Sequence, residues 1–227
     1  EIFNTLKSIL KGYHLSTGVG DEGGFAPDLK NNEEALMILV KAITESGYTP
    51  GTDVFFALDV AASELYDGNS YLVDGKKLSK DELFDYYVDL IKKYPIISIE
   101  DPFEENDYES FSKLTKYFNG KIMIVGDDLF VSQKKYLEKG IELGAGNAIL
   151  LKANQVGSVT EFLDTIYTAK KNGYKTIISH RSGETMDTFI ADLGVGLNLD
   201  FIKTGSVSRG ERICKYNRLM EIEDKLN

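Results

Sequence analysis

The chain has 227 residues, 42% of them hydrophobic, enough to bury a substantial core as one large domain or two small ones. Its net charge of -10 argues against a nucleic-acid backbone or an anionic membrane as the main partner, but leaves room for a small anion gripped by a local cluster of Lys and Arg. Cys214 is the single cysteine, which excludes a disulfide framework and suits a reducing compartment; no apolar run approaches the roughly 18 residues of a bilayer span.

The opening stretch, "EIFNTLKSILKGYH", has neither a Met start nor a signal-peptide pattern, and reads as a piece of a longer protein. Ile2, Phe3, Leu6, Ile9 and Leu10 fall on one face of a helix. "GVGDEGG" follows, in which Gly18, Gly20 and Gly23 match the G-x-G-x-x-G dinucleotide fingerprint. No apolar strand precedes it, no helix opens within it, and Asp21 and Glu22 would repel a pyrophosphate, so the motif reads instead either as an ordinary glycine-rich turn or as a flexible acidic loop.

From there short strands alternate with amphipathic helices. "VFFALDVAA" is the first strand, and "SKDELFDYYVDLIKKY" a helix with Leu83, Tyr86, Tyr87, Leu90, Ile91 and Tyr94 on one face. Ser79 and Glu82 predict a capping box at its start. "IISIED", "IMIVGDD" and "AILLKANQ" are the next strands. "SVTEFLDTIYTAKKNG" is a second capped helix, with Ser158 and Glu161 as the box and Gly173 as the C′ residue. "TIISHRSG" and "DFIKTGS" complete the series. Two-sided apolar strands separated by helices predict an α/β fold with a parallel sheet covered by helices.

Each strand ends in a polar or charged group: Asp59, Glu100, Asp127 with Asp128, Lys152, His180 with Arg181, and Lys203. A single acid after a strand is ordinarily a helix cap or a solvated loop residue. Six in succession point elsewhere, because parallel strands bring their C-terminal ends to one side, and in a (β/α)₈ barrel to one mouth. Three carboxylates on adjacent strands, with no cysteine near, suit Mg²⁺ over zinc or copper. Lys152, Arg181 and Lys203 at the same mouth suit an anionic substrate. A lysine crowded by a metal and other cations gives up its proton more readily and can serve as a general base. The set predicts proton abstraction beside a carboxylate, with the metal stabilising the enolate. Glu22, on its acidic loop, would reach towards the mouth.

Seven segments, "GDEGGFAPD", "ALDVAASE", "SIEDPF", "GDDLFV", "LLKANQVGSVTE", "SHRSGET" and "IKTG...RGERICKYN", together resemble the enolase family, the phosphopyruvate hydratases of glycolysis. The likeness runs the length of the chain and is closest to bacterial-type members. It implies a TIM-type barrel of order ββαα(βα)₆, of which this chain would lack the two opening strands and the smaller N-terminal α+β domain. It further implies a lyase that interconverts 2-phosphoglycerate and phosphoenolpyruvate with Mg²⁺. By motif, Asp59, Glu100 and Asp127 would ligate the metal. Lys152 would be the base at carbon 2, and Glu22 the acid that helps the carbon 3 hydroxyl leave. His180, Arg181 and Ser182 would grip substrate and phosphate, with Lys203 a further contact. The lysine–Mg²⁺ pairing is a general feature of the superfamily. Asp101 and Asp128 would orient neighbours, with capping or solvation as the alternative role.

The resemblance also implies a cytoplasmic homodimer or higher homo-oligomer, with a surface or secreted pool as in other enolases, and no nucleic-acid or membrane partner. Met186 stands after "SGET" where the family usually has an acid, and "ELYDGNSYLVDG" lacks the basic residues of the plasminogen-binding segment of some surface enolases. A second Mg²⁺ and the closing loops of the family depend on N-terminal-domain residues that this sequence does not contain. An acid-sugar dehydratase or epimerase of the superfamily is the alternative enzyme, although such enzymes usually lack the "SHRSGET" grip. A non-catalytic or surface-binding fragment is the alternative outside catalysis.

Overall fold

Alternation of side chains along each strand decides how this chain layers. A computed structural model describes residues 1–226. Two helices open it, α1 (Ile2–Gly12) and α2 (Asn32–Glu45), followed by β1 (Phe56–Asp59) and a hairpin of β2 (Tyr71–Val73) and β3 (Lys76–Leu78). Then helix and strand alternate: α3 (Lys80–Lys93), β4 (Ile96–Glu100), α4 (Tyr108–Phe118), β5 (Met123–Gly126), α5 (Lys134–Leu143) and β6 (Ala148–Leu151). The chain continues with α6 (Val159–Lys171), β7 (Lys175–Ser179), α7 (Phe189–Gly196), β8 (Phe201–Lys203) and α8 (Gly210–Leu226).

Six strands form one sheet in the order β1-β4-β5-β6-β7-β8. Every neighbouring pair is parallel. All six correspond to the apolar runs in the sequence. On β6, Ile149 and Leu151 join the large core under the helices, while Ala148 and Leu150 join a second cluster with Val125 and Ile177. Successive residues point to opposite faces, so both faces of this strand are buried. β1 and β8 are the two edges of the sheet, yet Lys203 on β8 donates to Asp59 on β1 at 2.5 Å. The sheet is therefore curled, its edges meeting at the mouth, and the fold is α/β and of TIM-barrel type.

The helix ends follow the sequence with one difference. Ser79 and Glu82 form the full reciprocal capping box of α3. At α6, Ser158 accepts the Glu161 N–H at 3.2 Å, but the Glu161 carboxylate turns to the Ser158 hydroxyl, so only half of the predicted box forms. Gly173 ends that helix at φ +74°, a left-handed turn that glycine adopts without a Cβ penalty. The opening helix buries Ile9 and Leu10 in a small core shared with Ile38 and Ala42 of α2. Among the described residues no helix is long and apolar enough to cross a membrane.

Candidate active site

Parallel strands deliver their C-terminal residues to one rim, and there the chain forms a cavity of about 480 Å³. Asp59, Asp127, Lys152 and Lys203 line it from the strand ends. His180, Arg181 and Ser182 form another wall, and Glu22 enters from the acidic loop. Glu100 lies below them, 5% exposed, reached by Lys203. The nine residues given catalytic, substrate or metal roles by the resemblance thus gather at one mouth.

The ammonium of Lys203 bonds both Glu100 oxygens, at 2.9 and 3.0 Å, as well as Asp59. Register explains the meeting, since Asp59 and Glu100 are paired across β1 and β4, and Lys203 ends the opposite edge. Burial pushes the Glu100 carboxyl up to about 8; Lys203 opposes the rise, and Asp59 and Asp127 add to it. Burial alone would pull Lys203 down, but Glu100 and Asp59 outweigh it and hold its proton more tightly than usual.

Asp127 offers two unlike oxygens. Oδ2 accepts from the Lys152 ammonium, and Oδ1 is buried with no hydrogen-bond partner among the described residues. A buried carboxylate oxygen left unpaired is costly unless a cation or donor meets it, which fits the residue to a divalent metal. One carboxylate oxygen from each of Asp101, Asp127 and Asp128 lies within 4.8 Å of the others, close enough to hold a metal ion. Asp101 is already engaged, however: its two oxygens accept the Asp127 N–H at 3.0 Å and the Asp128 N–H at 2.7 Å. It turns away from its neighbour Glu100 through a left-handed backbone at φ +42°, uncommon for a residue other than glycine. Burial pushes Asp101 up to about 7 against the pull of those two N–H groups.

Lys152 is held from below as well as from its tip. Val131 and Ser132 both adopt positive φ, +45° and +54°, a strained turn for a β-branched residue. That turn places the buried Ser132 hydroxyl to accept the Lys152 N–H at 2.8 Å and to donate to the Gln155 side chain at 2.6 Å. The Arg181 guanidinium is fixed by Asn154 at 2.7 Å. His180, 1% exposed, presents Nε2 to the Glu22 carboxylate at 3.3 Å. The contact is within ion-pair distance but not aligned as a hydrogen bond. Burial pulls His180 down, Glu22 opposes, and Arg212 and Lys203 reinforce the fall. The ring is therefore neutral near neutral pH.

Over residues 1–227 the chain matches the family described as "Enolase, C-terminal TIM barrel domain". The chain belongs to that family.

Several residues of this enolase-family mouth were not singled out by type and spacing. Asn154 and Ser132 have short polar side chains whose roles emerge only when the loops after β5 and β6 meet. Arg212 and Lys215 sit in "RGERICKYN", a segment that carried the resemblance but no assigned role. They are 1% and 0% exposed, and two cations one turn apart on a helix were the available signal. Met186 lies on the surface, 63% exposed, and the loop around it is tied by Lys215, which donates to the Thr185 carbonyl at 2.5 Å.

Proposed function

We propose that this domain is the larger part of the catalytic barrel of a bacterial-type enolase, carrying out the reversible dehydration of 2-phosphoglycerate to phosphoenolpyruvate. The observation that supports this best is the joint placement of Lys152, Glu22 and the His180–Ser182 segment around one cavity with acids at its floor. A base, an acid and an anion grip are the parts a dehydration beside a carboxylate requires.

Asp59, Glu100 and Asp127 would hold Mg²⁺, and the unpartnered Oδ1 of Asp127 favours that assignment. Bound there, Mg²⁺ would supply positive charge facing the substrate carboxylate as negative charge builds on it. Lys152 in its neutral form would take the proton from carbon 2, with Ser132 and Asp127 fixing its backbone and its tip. Glu22 in its protonated form would give its proton to the carbon 3 hydroxyl, which leaves as water. Arg181 and Ser182 would hold the phosphate, and the pairing of Arg181 with Asn154 pre-sets the guanidinium. Lys203 would contact the substrate from the far edge. Two further barrel strands would fill the seam between β8 and β1 on this reading, and the protein would serve glycolysis in the cytoplasm as a homo-oligomer.

The test is formation of phosphoenolpyruvate, together with isotope exchange of the carbon 2 proton in two variants. Lys152→Ala should abolish exchange, whereas Glu22→Gln should spare it and block loss of the hydroxyl, because the two groups act at successive steps. Equal exchange in both variants would overturn the roles, and absence of product from a protein that carries this domain together with the two further strands would overturn the reaction.

A further inference from the structure

A fully buried cation beside the cavity takes no part in the chemistry described so far. Arg212 lies in the first turn of α8, 1% exposed, with four of its donors satisfied by mouth loops. Nη1 is 2.6 Å from His180 Nδ1 and donates to the Arg181 carbonyl at 2.7 Å. Nη2 donates to the Asp21 carbonyl at 2.9 Å and the Ser182 carbonyl at 2.8 Å. Only Nε, also buried, has no partner among the described residues. One planar group thus joins the residue before Glu22 to all three residues of the anion-gripping segment.

We propose that Arg212 is a positioning residue that fixes His180 in its Nε2-protonated tautomer and sets the Glu22 loop against the His180–Ser182 loop. A guanidinium only donates, so Nδ1 must accept with its lone pair, and the ring proton of a neutral imidazole is left on Nε2. That nitrogen is the one facing Glu22. His180 therefore presents a donor, not an acceptor, to the carboxylate and to any oxygen that enters beside it.

The packing around the guanidinium leaves little freedom for another arrangement. Gly205 has φ +86°, and a Cβ there would lie 2.7 Å from the Glu22 carbonyl oxygen and 2.8 Å from Arg212 Cδ. The Ser206 N–H then donates to the same Glu22 carbonyl at 2.8 Å. Arg212, Gly205 and Glu22 are packed as one unit, so the rotamer of the arginine and the path of the acidic loop are set together. Lysine could not replace the fork, because a single ammonium cannot reach four acceptors spread over two loops.

The effect on turnover rests on the enolase reading; the tautomer does not, and the test separates them. The chain has only two histidines, and His14 is exposed, so nitrogen NMR of ¹⁵N-histidine-labelled protein reads His180 against an internal control. In the wild type, His180 should show an unprotonated Nδ1 and a protonated Nε2 at neutral pH. Arg212→Lys and Arg212→Met should each give a mixture of tautomers and lower kcat for 2-phosphoglycerate by roughly 10–100-fold, with Mg²⁺ affinity unchanged. A protonated Nδ1 in the wild type overturns the proposal, and that result needs no variant to fold. A folded Arg212→Lys protein with the wild-type tautomer and rate overturns it as well. If the tautomer follows Arg212 in a protein that does not turn over 2-phosphoglycerate, the clamp stands and the reaction assignment falls.

Discussion

Asp127 and Asp128 are adjacent in sequence and equal in charge, yet they do different work in the fold. Asp127 is 8% exposed and holds an unpaired oxygen in the interior; Asp128 is pushed upward by burial and by Asp127, and lies half-buried beside it. Asp127→Ala should therefore weaken Mg²⁺ binding, measured by calorimetry, far more than Asp128→Ala. Equal losses would move the metal to a different acid. The same contrast marks the limit of the sequence. That acids would gather at the strand ends was legible in "SIED" and "GDD", because a buried strand ending in a carboxylate demands a partner. Which acid of each pair faces the cavity was not, because it depends on single backbone torsions. At Asp101 a left-handed turn sends the carboxylate to two backbone N–H groups, a choice that no side-chain spacing records.

β7 and β8 are joined by one carboxylate that illustrates how elements are locked in register. Asp200 accepts the Thr176 N–H at 3.0 Å and hydroxyl at 2.9 Å through Oδ2, and the Lys175 ammonium at 2.6 Å through Oδ1. Burial alone would raise the Asp200 carboxyl, but Lys175 and the Thr176 groups outweigh it and hold it below its ordinary value. A folded value below the unfolded one means stability that is present above about pH 4 and is lost as pH falls further. Asp200→Asn should cost roughly 1–2 kcal/mol in urea denaturation at pH 7, and the gap should shrink at pH values below about 4. A gap of the same size at both pH values would mean the charge does not matter. The strands themselves were legible because β-branched apolar runs bounded by polar residues have few other solutions. The β2–β3 hairpin was missed, although Asp74 and Gly75, at φ +49° and +73°, are the Asp-Gly signal of a tight turn. Its strands have three residues each, too short for alternation to register.

At the scale of the whole molecule, the helices cover one face of a sheet whose two edges are not hydrogen-bonded to each other. Unpaired edges leave the spacing across the mouth to side chains, and catalysis is sensitive to shifts of about 1 Å, worth roughly 10²-fold. We expect the 227-residue chain purified alone to turn over 2-phosphoglycerate at least about tenfold more slowly than a protein in which two further strands fill the seam, at saturating Mg²⁺. Comparable rates would show that side chains suffice to set the mouth. The barrel was implied only by the enolase resemblance, while the α/β class with its parallel sheet was legible from the repeat of strand and helix. The curl that brings β8 to β1 was not, because twist accumulates over six strands and no single segment encodes it.

The bond from Lys203 to Asp59 joins residues 144 positions apart. Loop-closure entropy rises with the length of chain enclosed, so a contact of this span is among the last a folding chain makes. The large core, by contrast, draws on β1, β4, β5 and β6 and the helices over them, most of which are present before β8 is added. During synthesis, then, the interior can condense while the floor of the cavity is still in two pieces. A chain cut short before residue 201 would keep much of its packing and lose its chemistry, and proteolytic resistance would appear earlier in folding than activity.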